Sequence, residues 1–171
     1  MYIWVTCRLP EAFEREQRVS IRQTQEEIGL PNAGTRPEPM YIALIKPAWV
    51  EEERVQAILT RMETLLRREK PFVIQLAEAE LAEHAVAMRI RPNGRLTALH
   101  AALVRELMPQ AADAGFHFNL PVLLCEEEEA LLRFYREWSQ YSNEERLGIG
   151  QFDLRCSEDG KTYRTVTEIT V

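Results

Sequence analysis

Two short strand-like segments, at matching places in the two halves of the chain, constrain its fold most. They are residues 41–44, Tyr-Ile-Ala-Leu, and residues 117–120, His-Phe-Asn-Leu. Side chains of a strand alternate between two faces, so Tyr41 and Ala43 share one face while their neighbours point into a core. The same alternation places His117 and Asn119 on one face. Each half is therefore predicted to contain a strand with one buried face and one face that is available for chemistry.

Apolar periodicity predicts the other elements. Alternation with a period of two indicates strands, and apolar residues at three- to four-residue spacing indicate helices. The predicted strands cover residues 2–9, 40–45, 72–76, 85–91, 116–124, 151–156 and 163–171, and the predicted helices cover residues 11–28, 50–69, 96–107 and 131–138. Such an order predicts an α+β fold of two antiparallel or mixed sheets, with helices packed outside.

The length of the chain fits one domain or two fused small lobes, and we expect a single bilobal domain that spans residues 1–171. Of its 171 residues 46% are hydrophobic, which is enough to bury a core without disulfide bonds. The three cysteines, Cys7, Cys125 and Cys156, lie far apart, in or beside apolar strand-like runs. We interpret them as reduced core thiols and expect a cytoplasmic protein. We expect neither a signal peptide nor a transmembrane helix.

Charge and histidine content limit the classes of partner. The formal net charge of -6 argues against broad coating of nucleic acid, which needs many cationic contacts to phosphates. A small, local cationic cleft stays compatible with that charge. No two of His84, His100 and His117 have the spacing of metal ligands, so we expect no metal and no cofactor. His100 lies on the apolar stripe of its helix and is predicted to be a hydrogen-bonded packing residue.

The placement of the two strand segments resembles that of the two-histidine (2H) phosphoesterase superfamily, which includes the RNA 2',3'-cyclic phosphodiesterases also called 2'-5' RNA ligases. The resemblance covers nearly the whole chain. It implies a bilobal fold in which each lobe supplies a strand motif of a histidine, any residue, then a threonine or serine and an apolar residue. In the first motif Tyr41 stands at the histidine position and Ala43 at the threonine position. In the second, His117 matches the histidine and Asn119 the hydroxyl residue.

The second motif allows a different register, with Asn119 at the histidine position, which would leave no histidine in either motif. The His117 register keeps the apolar residue at the fourth position and the alternation of faces. In both registers the first motif lacks its two catalytic side chains. Tyr41 offers a phenol that can donate a proton or a hydrogen bond, but its reference pKa of about 10 makes it a poor base at neutral pH.

A polar face opposite the core supports a ligand site independently of the resemblance. Strand alternation assigns to it Trp4, Thr6, Arg8, Tyr41, Arg89, Arg91, His117, Asn119, Asp153 and Arg155. Guanidinium groups suit phosphate oxygens, and Trp4, Tyr2 or Tyr41 can stack on a base. We predict that Arg89, Arg91, Arg155 and Arg8 neutralise phosphate charge. An ordinary solvated sheet face with scattered charges is the alternative interpretation.

These observations lead to three hypotheses of function. The first is a 2H phosphoesterase-like protein with a degenerate site, which binds a nucleotide or an RNA end with weak or altered phosphodiesterase activity. In it His117 would act in acid–base chemistry or contact phosphate, Asn119 would bind phosphate, and Tyr41 would be a substitute donor or stacking surface. The second is a non-catalytic module that contacts a protein partner through the helix at residues 11–28 or a sheet edge. The third is an active cyclic phosphodiesterase with unusual catalytic residues.

Overall fold

The computed structural model of the chain describes residues 1–107, 116–141 and 144–171. Its elements are β1 (Tyr2–Arg8), α1 (Glu11–Glu27), β2 (Tyr41–Ala43), β3 (Ala48–Trp49), α2 (Glu52–Leu66), β4 (Phe72–Ala82), β5 (Ala85–Ile90), α3 (Gly94–Leu107), β6 (Asn119–Leu124), α4 (Glu128–Trp138), β7 (Arg146–Ile149), β8 (Gln151–Ser157) and β9 (Arg164–Thr170). The predicted order of strands and helices is confirmed, with β3 and β7 as two additional short strands.

The strands form two antiparallel sheets, which confirms the predicted α+β class. Sheet A has the strand order β2-β1-β8-β9, and β3 also pairs with β1. Sheet B has the order β6-β5-β4-β7. The helix α2 contacts β8 and β9 of sheet A, and α4 contacts β4 and β5 of sheet B. Each sheet therefore packs against a helix.

The strand β1 shows how the alternation of the sequence produces this layering. Ile3, Val5 and Cys7 are fully buried and belong to one hydrophobic cluster that includes residues of both sheets. The intervening side chains of Trp4 and Arg8 are half-buried on the opposite face. Burial raises the pKa of the Cys7 thiol, because the thiolate is poorly solvated in an apolar core. All three cysteines are buried and free of disulfide bonds.

Three predicted boundaries were wrong. The strand expected at residues 40–45 is only Tyr41–Ala43 long, and β4 continues to Ala82, well beyond residue 76. His117 lies just before β6, which begins at Asn119. The two residues of β3 and the glycine-containing β7 are too short or too irregular to give a readable alternation, and only their pairing with β1 and β4 makes them strands.

The segment between α1 and β2 is fastened to sheet B. Thr35 and Leu124 exchange two backbone hydrogen bonds of 2.7 Å at the free edge of β6. Gly34 has a φ of +73°, and a Cβ atom there would lie 2.5 Å from the Leu124 carbonyl oxygen. Glycine is required at this position by its backbone conformation and by this close approach. Among the described residues no helix has both the length and the apolar character that crossing a bilayer requires.

Candidate functional site

The two predicted motif strands come together where the sheets meet. β2 is the edge strand of sheet A, β6 is the edge strand of sheet B, and the two contact each other. Tyr41 and Ala43 lie on β2, and Asn119 opens β6. Two groups of polar side chains flank this contact. The Asp153 cluster consists of Trp4, Thr6, Arg8, Tyr41, Asp153, Arg155 and Tyr163, and the Glu80 cluster consists of Glu78, Glu80, Arg89, His117 and Asn119.

An ion-pair triad forms the centre of the Asp153 cluster. The Oδ2 atom of Asp153 accepts hydrogen bonds from Arg8 Nε at 2.9 Å and from Arg155 Nη2 at 3.1 Å. The side chain of Asp153 is 1% exposed and that of Arg155 is 10% exposed. The hydrogen bond to Asp153 raises the pKa of Arg8 above its ordinary value. Two guanidinium groups thus share one carboxylate. Arg8 Nη2 also pairs with Glu168 Oε1 at 2.9 Å, so the two positive and two negative charges of this group balance.

Aromatic rings surround the guanidinium group of Arg155. Its Cζ atom lies 5.4 Å from the ring centre of Trp4 and 5.6 Å from that of Tyr41. The Trp4 ring also meets Tyr41 edge-on at 4.7 Å and Tyr163 at 5.1 Å. Burial raises the pKa of the Tyr41 phenol, and the nearby charge of Arg155 only partly opposes the shift. Tyr41 is therefore a neutral hydrogen-bond donor and not a base.

Five buried polar atoms of the Asp153 cluster have no hydrogen-bond partner among the described residues. They are Trp4 Nε1, Thr6 Oγ1, Asp153 Oδ1, Arg155 Nε and Tyr163 OH. Leaving such a group unpaired in the interior costs about 1–3 kcal/mol. Native structures rarely concentrate this cost on one surface, and when they do, the group calls for an explanation such as a binding role.

The Glu80 cluster holds His117, the histidine of the second predicted motif. Glu80 Oε1 lies 3.1 Å from His117 Nε2 and accepts a hydrogen bond of 2.9 Å from Asn119 Nδ2. Its other oxygen pairs with Arg89 Nε at 3.4 Å, and Arg89 Nη1 reaches Glu78 at 3.1 Å. The His117 side chain is 64% exposed. The imidazole is thus fixed at one nitrogen and open to solvent elsewhere.

The predicted site residues separate into three places. Trp4, Arg8, Tyr41 and Arg155 lie in the Asp153 cluster, and Arg89, His117 and Asn119 lie in the Glu80 cluster. Arg91 stands apart: it lies beyond the end of β5, and its guanidinium group pairs with Glu144 at 2.7 Å. The structure confirms the hydrogen-bonded packing role of His100, whose Nδ1 donates to the Leu44 carbonyl at 2.6 Å.

Sequence reasoning missed Glu78 and Glu80 of one cluster and Tyr163 of the other. The two glutamates could have been found from their alternation, which continues the strand pattern of β4 beyond residue 76. Residues two positions apart in a strand lie on the same face, so Glu78 and Glu80 share one face. Tyr163 precedes β9 and reaches the cluster through its contact with Trp4, which no local pattern indicates.

A cavity of about 510 Å³ borders the Asp153 cluster at Arg8. Its lining includes Glu14, Pro39 and Gln151. Burial raises the pKa of the Glu14 carboxyl, partly offset by the charges of Arg18 and Arg8. Among the described residues no group of three or more histidine, cysteine or acidic side chains is arranged to hold a metal ion.

Comparison with solved structures identifies the architecture. TT0787 of Thermus thermophilus aligns with a TM-score of 0.72 at 14% identity, covering 99% of this chain and 97% of that one. E. coli LigT in complex with 3'-AMP aligns with a TM-score of 0.66 at 16% identity, with the same two coverages of 99% and 97%. Usb1 of Kluyveromyces marxianus aligns with a TM-score of 0.65 at 9% identity, again over 99% and 97% of the two chains.

Comparison at the level of sequence finds neither a matching family model nor a significantly similar curated protein. The likeness therefore lies in the fold. LigT and Usb1 are members of the 2H phosphoesterase superfamily. The two antiparallel sheets and four helices of the described residues match the bilobal fold of the 2H phosphoesterases.

Proposed function

We propose that this chain binds a nucleotide or an RNA end through a phosphate group, and that any phosphodiester hydrolysis is weak or altered. The observation that carries the proposal is the set of buried hydrogen-bond donors beside the triad of Arg8, Asp153 and Arg155 at the first motif strand. Trp4 Nε1, Thr6 Oγ1 and Arg155 Nε are buried and have no partner among the described residues. A buried donor without an acceptor is unfavourable, and the oxygens of a bound phosphate would supply acceptors.

The surroundings of the triad suit the rest of a nucleotide. The half-buried rings of Trp4, Tyr41 and Tyr163 offer aromatic surfaces, and bases stack on such side chains without strong sequence preference. The cavity next to Arg8, of about 510 Å³, is large enough for a nucleoside. LigT has been crystallised with 3'-AMP, with ATP and with phosphate, which makes these compounds the first probes to use.

The chemistry available to the site is limited by its acid–base groups. Hydrolysis of a cyclic phosphodiester is catalysed by one group that activates water and a second that protonates the leaving oxygen. His117, oriented by Glu80, can fill one of these roles. Tyr41, at the position that the motif gives to the other histidine, stays protonated. Loss of one such group lowers the rate by about 10²- to 10⁴-fold.

Two broader properties belong to the same proposal. We infer that residues 1–171 act as one domain, because the buried residues of both sheets join in a single hydrophobic cluster. We also propose a cytoplasmic location, because three cysteines without disulfide bonds suit a reducing compartment.

The proposal is tested by thermal stabilisation of the protein with 3'-AMP, ATP, a 2',3'-cyclic mononucleotide and a short RNA with a 2',3'-cyclic end. A ligand that binds the folded state raises the melting temperature by mass action. Product analysis of the same samples separates binding from turnover. We expect stabilisation with little or no product.

Other outcomes would support other functions. Rapid product formation would favour an active cyclic phosphodiesterase with unusual residues. Absence of stabilisation by every probe would contradict the proposal and leave a protein-interaction module as the remaining candidate.

A further inference from the structure

The pairing register of sheet A places a hydroxyl beside the incomplete first motif. On β1, Thr6 stands directly opposite Ala43 of β2 on one side and directly opposite Asp153 of β8 on the other. Directly opposed residues of an antiparallel pair project to the same face, with Cβ atoms about 4.5–5.5 Å apart. The hydroxyl of Thr6 is therefore one strand away from the position where Ala43 presents only a methyl group.

The hydroxyl of Thr6 is exceptional in its burial. Thr6 is 0% exposed, and Oγ1 has no hydrogen-bond partner among the described residues. Threonines in helices of this chain behave differently: Thr24 is buried and bonds the Ser20 carbonyl at 3.0 Å. A buried hydroxyl without a partner destabilises the fold, and valine has the same shape without that penalty. Stability alone would therefore favour valine at position 6.

Four hydrogen-bond donors without partners among the described residues lie in the same cluster as the Arg155 guanidinium group. Trp4 Nε1 and Arg155 Nε can only donate, and the hydroxyls of Thr6 and Tyr163 can donate as well. Donors around a cation are the arrangement that an anionic oxygen requires. Asp153 Oδ1 can only accept, but the charge of that carboxylate is matched by Arg155, while Arg8 pairs with both Asp153 and Glu168.

We propose that Thr6 is a ligand-binding residue, and that its hydroxyl donates to a phosphate oxygen of the nucleotide in place of the hydroxyl that Ala43 lacks. The inference rests on the proposed function. It identifies a residue of sheet A that donates a hydrogen bond to the phosphate. Because Thr6 is fully buried, a neighbouring side chain of the cluster rotates when the ligand enters. Rotamer changes of this kind are common at binding sites.

The test removes the hydroxyl or moves it to the neighbouring strand. Two quantities are measured for each variant: the affinity for 3'-AMP and for inorganic phosphate, and the melting temperature of the free protein. Thr6→Val removes the hydroxyl and Thr6→Ser keeps it. The double variant T6V/A43T moves it to the neighbouring strand. Thr170→Val, an exposed threonine on β9, is the matched control.

Stability and affinity are expected to change in opposite directions. T6V should raise the melting temperature of the free protein by about 2–4 °C and weaken binding of both probes roughly 10- to 100-fold. T6S should bind within about threefold of the wild type, T6V/A43T should regain affinity over T6V, and T170V should change neither quantity.

Two results would contradict the role of Thr6 and leave the proposed function standing. One is wild-type affinity in T6V, and the other is a lower melting temperature of free T6V, which would mean that the hydroxyl has a partner in the protein. Failure of the wild type to bind either probe is a distinct outcome, because it refutes the proposed function and this inference together.

Discussion

Glu80, on β4, holds the imidazole of His117, which lies just before β6. Glu80 Oε1 lies 3.1 Å from His117 Nε2. The same oxygen binds Asn119 Nδ2 at 2.9 Å, so one carboxylate holds both polar residues of the second motif. The first motif strand offers a neutral phenol and a methyl group instead. The two sides are therefore asymmetric, with the imidazole beside sheet B and the buried, unpartnered polar atoms in the Asp153 cluster.

This asymmetry predicts that His117→Ala abolishes whatever hydrolysis the protein performs. We expect product from a 2',3'-cyclic mononucleotide to fall by about 10²-fold or more, because the proposed function assigns acid–base chemistry to the imidazole of His117. The measurement is product formation over time. His84→Asn is the control, since His84 lies in an exposed turn with a φ of 56°, which asparagine tolerates. Equal loss in both variants would remove His117 from the mechanism.

Binding should depend on the other sheet. Arg155→Met keeps an unbranched chain of similar length between Trp4 and Tyr41 but removes the positive charge. We expect affinity for 3'-AMP to fall by roughly 10- to 100-fold, because a charge-assisted hydrogen bond to phosphate contributes about 1.5–3 kcal/mol. Calorimetry provides the measurement. Arg95→Met, on an exposed arginine that pairs with Glu69 on the surface, should bind normally. Unchanged affinity in Arg155→Met would contradict the proposed phosphate contact.

The packing role of His100 predicts a graded loss of stability. Its ring stacks on Phe116 with centroids 4.3 Å apart, and its Nδ1 bonds the Leu44 carbonyl just after β2. His100→Phe should keep the stacking and lose about 1–3 kcal/mol, because the carbonyl loses its donor. His100→Ala should lose more, because the stacking disappears as well. Urea denaturation measures both, and equal stability of the two variants would show that the stacking contributes nothing.

The hydrogen bonds of the Asp159 carboxylate predict that its contribution to the free energy of unfolding depends on pH. Its Oδ1 accepts from the backbone amides of Lys161 and Thr162 at 2.8 and 2.9 Å and from the Ser157 hydroxyl. Hydrogen bonds from these groups, the Thr162 amide foremost, lower the pKa of Asp159 to about 2. The folded state thus prefers the ionised carboxylate, and the stabilisation is fully present above the unfolded pKa of about 3.9. It is lost as the pH falls through about 2.

The variant Asp159→Ala tests this expectation. It should be less stable than the wild type at pH 7, and the difference should shrink between about pH 4 and pH 2. Chemical denaturation at a series of pH values measures the difference. A constant difference over that range would mean that ionisation of Asp159 is not what stabilises the turn.

Much of the fold could be predicted from the sequence, because its signals are local. The alternation of Ile3, Val5 and Cys7 predicted β1 and its buried face, and the helices appeared close to their expected bounds. Short elements escaped prediction. β3 has two residues, and only its pairing with β1 defines it.

The placement of the candidate residues was predicted in part for the same reason. Alternation placed Trp4, Arg8, Tyr41 and Arg155 on one face, and the structure brings these four into one cluster. The alternation could not show that the Arg91 side chain pairs with Glu144, because that contact depends on a residue 53 positions away in the chain. It also could not show that the Glu80 carboxylate lies beside His117, because these two residues are 37 positions apart.

The sequence by itself determined the alternation of buried and exposed side chains, the order of the elements and the absence of a histidine from the first motif. Those features depend on residues within a few positions of one another. Only the tertiary structure decided which polar groups face each other: Glu80 with His117, Asp153 between two guanidinium groups, and Thr6 opposite Ala43. Hydrogen bonds and ion pairs act over about 3 Å in space, and strand register, which sets those distances, is fixed by the packing of the whole core.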